Sequence, residues 1–99
     1  MLSKKELFNA KSASEKIEKG LTINVVNVGT YADTDKDGKP VTVSVLVSDV
    51  GLSYTSISAT VANSIDMLDE IIAEDGEATV EIVENVSNSG RKFYQLKLV

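Results

Sequence analysis

One stretch of this chain, residues 60–76, carries a helical period, and strand-like segments flank it on both sides. Val61, Ile65, Leu68 and Ile72 recur at spacings of four, three and four, which lines them along one face of a helix. Met67 and Ile71 widen that stripe, while Asn63, Ser64, Asp66, Asp69, Glu70 and Glu74 lie mostly off it. Ser58 or Thr60 can cap the start, because a side-chain oxygen there accepts from an early backbone N–H. Gly76 fits the left-handed residue that ends many helices. A lone helix with one apolar face needs a sheet to cover, so the rest of the chain must supply one.

The flanking segments read as five strands. In residues 21–31, Leu21, Ile23 and Val25 alternate on one face and Val26 and Val28 on the other. That change of phase by one residue is what a bulge or strong bend produces. Gly29 offers a second place to bend. Residues 32–40 form a polar loop, in which Asp37-Gly38 is a hairpin signal. In residues 41–49, Val41, Val43, Val45 and Val47 share a face opposite Thr42, Ser44 and Ser48. Residues 52–57 make the third strand. After the helix, Ala78, Val80 and Ile82 alternate with Glu77, Thr79 and Glu81, and residues 91–99 close the set beyond a Ser-Asn-Ser-Gly turn. The expected fold is mainly β, with strands and helix in the order β-β-β-α-β-β. The doubled phase of the first strand favours a partly open barrel of the OB type over an open sheet with a helix on one side.

Ahead of this domain (residues 21–99) lies a leader, residues 1–20. Ser3 and Glu6 have the spacing of a capping box, and so do Ser12 and Glu15. A short helix over residues 3–10 and a second over residues 14–19 are expected, with Gly20 as a break. The leader would plug an open end of the sheet or contact a partner.

Several chemistries are excluded by what the chain lacks. Without cysteine or histidine there is no thiolate, no disulfide and no imidazole, which removes the usual zinc sites and hydrolase triads. Asp33, Asp35, Asp37 and Gly38 imitate the opening of a calcium loop. The twelfth position, however, is Ser44, where that loop needs a bidentate glutamate. Neither an enzyme nor a cofactor or metal site is expected. No apolar run of about 18 residues is present, so no membrane partner is expected. The charged start lacks the apolar block of a signal peptide, which makes the cytoplasm the expected location.

Charge and aromatics give the positive signal. The net charge is −5, but it is unevenly spread. Residues 49–84 hold nine acids and no base, whereas residues 85–99 hold three bases and no acid. If Leu96 and Leu98 point inward, Phe93 points outward beside Arg91 and Lys97, an arrangement suited to stacking on an unpaired base. Tyr54 and Tyr31 also lie on or beside strands, and Lys36 and Lys39 flank the hairpin tip. The hydroxyls of Thr42, Ser44, Ser48, Ser53 and Thr55 would form a polar sheet face able to bond phosphate or bases.

With these elements the chain resembles the small OB-fold single-stranded-DNA-binding proteins of bacteriophages. The resemblance rests on the element order over residues 21–99, on the hairpin at residues 33–40, and on the ending Ser89-Gly90-Arg91-Lys92-Phe93-Tyr94-Gln95-Leu96-Lys97-Leu98. It implies a role in DNA replication through sequence-tolerant, non-catalytic binding of single-stranded DNA on a sheet face. Phe93, Tyr54 and Tyr31 would stack on bases. Arg91, Lys92, Lys97, Lys39 and Lys36 would meet phosphates. With few aromatics, self-association of protomers along the strand would assist. The competing reading is a protein-interaction or virion-structural module of the same fold that binds no nucleic acid.

Overall fold

The computed structural model describes residues 1–99, apart from the side chain of Ala13. It contains six strands and two helices, in the order α1 (Lys4–Ala13), β1 (Glu15–Lys16), β2 (Thr22–Thr34), β3 (Pro40–Ser48), β4 (Ser53–Ser56), α2 (Ala59–Asp75), β5 (Ala78–Val86) and β6 (Lys92–Leu98). The five strands and central helix expected from the sequence are therefore accompanied by a sixth strand and a full leader helix. All strands belong to one sheet in the order β1-β4-β3-β2-β5-β6, curled into a half-barrel whose outer strands do not pair.

β2 is the hinge of that curl. It pairs with β3 from Val25 to Thr34 and with β5 from Thr22 to Val25. The register slips between Val25 and Asn27, which leaves Val26 as the extra residue of a bulge. Because of the slip, Ile23 and Val25 before it and Val28 after it all enter one core, with Leu46, Val80, Ile82 and Ala78. α2 closes this core with Val61, Ile65 and Leu68. Burial of each such side chain contributes about 1.5–3 kcal/mol. Ser58 is its N-cap, and Gly76, at φ 84°, ends it with an N–H donated to Ile72 O at 2.7 Å.

The opposite, outer face of the sheet is also covered. Register places Gly29 beside Val45 and Tyr31 beside Val43, facing away from Leu46 and Val28. The valine row of β3 therefore looks outward, and α1 lies over it. Gly29 has an ordinary φ, so its role is room: a Cβ there would stand 2.9 Å from Leu7 Cδ2 and 3.0 Å from Leu2 Cβ. α1 starts in a reciprocal capping box, with Glu6 N–H on Ser3 Oγ and Ser3 N–H on the Glu6 carboxylate. That bond to the Ser3 N–H holds the Glu6 carboxyl below its usual pKa.

The second leader helix is not formed. Residues 14–18 are not helical and Lys19 and Gly20 form a turn, while Glu15 and Lys16 pair in parallel with Tyr54 and Thr55. Ile17 is the only apolar side chain between Glu15 and Lys19, too little to hold one helical turn against a core. Extended, it buries in the main core and gives its N–H to Thr55 O at 3.2 Å. Among the described residues no helix is long and apolar enough to cross a membrane.

Candidate nucleic-acid interface

The sheet's two outer strands are β6 and the short β1 that pairs with β4, and a gap separates the β1–β4 side from β6. The link from β4 to α2 crosses it. Ser58 N–H donates to Ser56 Oγ at 3.1 Å, and Ser58 Oγ donates to Tyr94 O of β6 at 2.8 Å. The same Oγ accepts from Val61 N–H at 3.4 Å as the helix cap. One hydroxyl thus ties the start of α2 to the last strand and keeps the gap from spreading.

Beside this tie the gap opens into a cavity of about 450 Å³. Phe93 and Tyr94 form one side, Thr55, Ser56 and Ile57 the other, and the first turn of α2 the end. Lys16 and Lys92 stand at it, and no carboxylate does. The two other cavities beside the leader include Glu6, Glu15 or Glu18 in their walls. The first turn of α2 is also free of acids, although the helix carries five further on. The cavity therefore combines aromatic faces, apolar walls, hydroxyls and two ammonium groups, in a chain of net charge −5. Volume and lining of this kind suit a small organic ligand with an anionic group.

Two of the sequence candidates, Phe93 and Lys92, meet at this cavity. β6 alternates as expected: Tyr94 and Leu96 pack on the core and Phe93 lies on the other face. Arg91 is exposed in the turn before β6, where its O accepts from Ser87 N–H at 2.8 Å. Lys97 is exposed four residues beyond Phe93, about 13 Å along the strand. Lys36 and Lys39 are exposed at the β2–β3 hairpin, whose tip is held by Asp35. Its carboxylate accepts from the N–H groups of Asp37 and Lys39, both at 2.9 Å. The acidic run of this loop thus serves its backbone turn.

Tyr54 and Tyr31 lie elsewhere. Tyr54 is half-buried against the core on the inner face, opposite Leu46. Tyr31 is on the outer face, with the Lys11 ammonium 5.7 Å from its ring centre and Asp33 two residues on. Burial, and then the Asp33 charge, raises the Tyr31 hydroxyl above its usual pKa. The expected hydroxyl face is split by the register of β4 on β3. Ser44 and Ser48 are buried, Thr42 and Ser44 share the inner face with Leu46, and Ser53 and Thr55 lie opposite Val47 and Val45 on the outer one. Sequence reasoning did not single out Lys16, whose place is set by the pairing of β1 with β4. The signal available was Ile17, a lone apolar residue between two Glu-Lys pairs that had to reach a core.

No curated protein and no solved structure matches the chain. Residues 2–99 match the family described as phage single-stranded DNA-binding protein. A match over nearly the whole length, on a curled half-barrel with an aromatic, acid-free cleft, settles the kinship: the chain belongs to the phage single-stranded DNA-binding protein family.

Proposed function

We propose that this protein binds single-stranded DNA without strong sequence preference and without catalysis, with its half-barrel acting as an OB-like platform. The observation that carries the reading is the cleft between β4 and β6, which Phe93, Lys16 and Lys92 line together and no carboxylate lines. A base would stack on Phe93, a contact that tolerates any sequence because every base has a π face. Phosphates on either side would meet Lys16, Lys92 and Arg91. The strand would then run between the two hairpins, toward Lys36 and Lys39 at one and Arg91 at the other. Lys97, farther along β6, and Tyr31, under Lys11, would be reached only by a longer strand. Tyr54 serves the site by holding β4 against the core. The platform needs no cofactor, and its family is one of DNA-binding proteins.

The test is a fluorescence-anisotropy titration of labelled oligo-dT at two salt concentrations, with Phe93→Ala beside the parent. Salt-sensitive binding is expected, weakened by about 1–3 kcal/mol in the variant. Absence of binding at low salt would remove this reading and leave the protein-interaction module in its place.

A further inference from the structure

The cleft has a shape that a strand passing straight through it would not use. The link from β4 to α2 crosses the gap, and Ser58 Oγ, donating to Tyr94 O at 2.8 Å, ties that link to β6. Ser58, Ala59 and Thr60 line the cavity beside this tie, so it is closed at the α2 end. Its volume of about 450 Å³ falls in the range of roughly 300–1,000 Å³ in which pockets enclose one small ligand. An interior nucleotide could enter only from the open side, with the strand doubling back on both flanks. A terminal nucleotide enters without that bend. Charge points the same way. Lys16 and Lys92 line the cavity, no acid does, and among the described residues neither lysine forms an ion pair within the chain. A phosphodiester inside a strand carries a single negative charge. A terminal phosphate monoester carries about −1.5 to −2 at pH 7, because its second pKa lies near 6. Two unpaired cations in one cavity match the monoester better.

We propose that the cleft prefers the phosphate-bearing end of a DNA strand to its interior, and that it takes one terminal nucleotide. The chemistry recognised is an aromatic base joined to a phosphate monoester, so a free nucleoside monophosphate fits the same place. The base stacks on Phe93, and Lys16 and Lys92 hold the phosphate. Thr55 and Thr60 add hydroxyls to the walls, each both donor and acceptor, which suit a sugar or a base edge without demanding one base. The rest of the strand leaves on the open side. Both lysines are exposed, so the second phosphate charge adds a solvent-screened ion pair and the preference is modest. The inference rests on the DNA-binding reading above and adds to it which part of the strand the cleft selects.

The experiment compares short oligo-dT strands of equal length, labelled on a central base: one with hydroxyls at both ends, one with a 5′-phosphate and one with a 3′-phosphate. At least one phosphorylated strand should bind the parent about two- to fivefold tighter than the hydroxyl-ended strand, the scale of one ion pair between exposed groups. Methylating that phosphate removes its second charge and should remove the gain. An end phosphate adds charge that any basic surface could use, so the deciding arm is the double variant Lys16→Ala/Lys92→Ala, in which the gain should vanish. Thymidine monophosphate should displace the labelled strand from the parent at concentrations where thymidine does not. Equal affinities for all three strands, a gain that survives methylation or the double variant, or thymidine monophosphate acting no better than thymidine would each overturn the proposal. If no strand binds the parent at low salt, the DNA reading is what has failed. The site is then tested with thymidine monophosphate alone by amide NMR. Shift changes confined to residues 55–60 and 92–94 would support a nucleotide site in the cleft, and their absence or spread over the surface would overturn it.

Discussion

A single hydroxyl shows how much of this fold depends on local chemistry. Ser58 Oγ caps α2 and also bonds Tyr94 O across the gap between β4 and β6. Replacing it with alanine should cost about 1–2 kcal/mol in urea unfolding, through the missing cap and the orphaned carbonyl. Ser58→Asp keeps an acceptor for the cap but has no proton for Tyr94 O, so it should recover only part of that stability. Its charge would also stand beside the cleft and weaken oligo-dT binding more than the alanine does. Equal DNA affinity for the two variants would show that the strand does not pass this point. The cap is legible in the sequence, because Ser58 stands three residues before the first apolar position of the helix. The bridge to Tyr94 is not, since it joins residues 36 apart and depends on how the sheet curls.

At the level of elements, periodicity carries most of the fold. α2 and the phase change in β2 are both readable, the first from the 3.6-residue stripe and the second from Val25, Val26 and Val28. The short strand β1 is not, because two residues make no pattern, and the Ser-x-x-Glu spacing before it imitates a helix start. From sequence, Gly29 is a place to bend. Its structural reason is the close approach of α1, a tertiary fact with no local signature. Tests of these two elements should separate. Ile17→Ala removes a side chain anchored in the main core and should destabilise by about 2–4 kcal/mol. Gly29→Val drives a branched side chain into Leu2 and Leu7 and should cost about 1–3 kcal/mol, with α1 losing amide-exchange protection ahead of the barrel. If α1 and the barrel lost protection together, the helix would be part of the same cooperative unit and not a layer added to it.

Across the whole molecule the decisive property is where charge sits. A chain of net charge −5 and pI near 4.6 repels a polyanion at long range, so binding must rely on a local field. Nine acids lie within residues 49–84, yet the cleft at the start of α2 faces none of them and has Lys16 and Lys92 instead. The candidate site is half legible in the sequence for this reason. Phe93 follows from alternation on β6 and Lys92 from the basic ending around it, whereas Lys16 comes from a leader that the sequence does not place. The arrangement predicts an uneven response to removing single cations. Counterion release makes the logarithmic salt slope of single-strand binding shallower by about 0.7 for each phosphate that the protein no longer neutralises. Lys16→Ala and Lys92→Ala should each reduce the slope by about that amount for a short oligo-dT. Lys97→Ala should leave it nearly unchanged, because Lys97 lies well along β6 from Phe93. Titrating the three variants over a range of salt concentrations reads this directly. A slope that fell equally for Lys97 would mean the strand tracks the length of β6 instead of the cleft, and Phe93 would then be one stacking point along a basic edge.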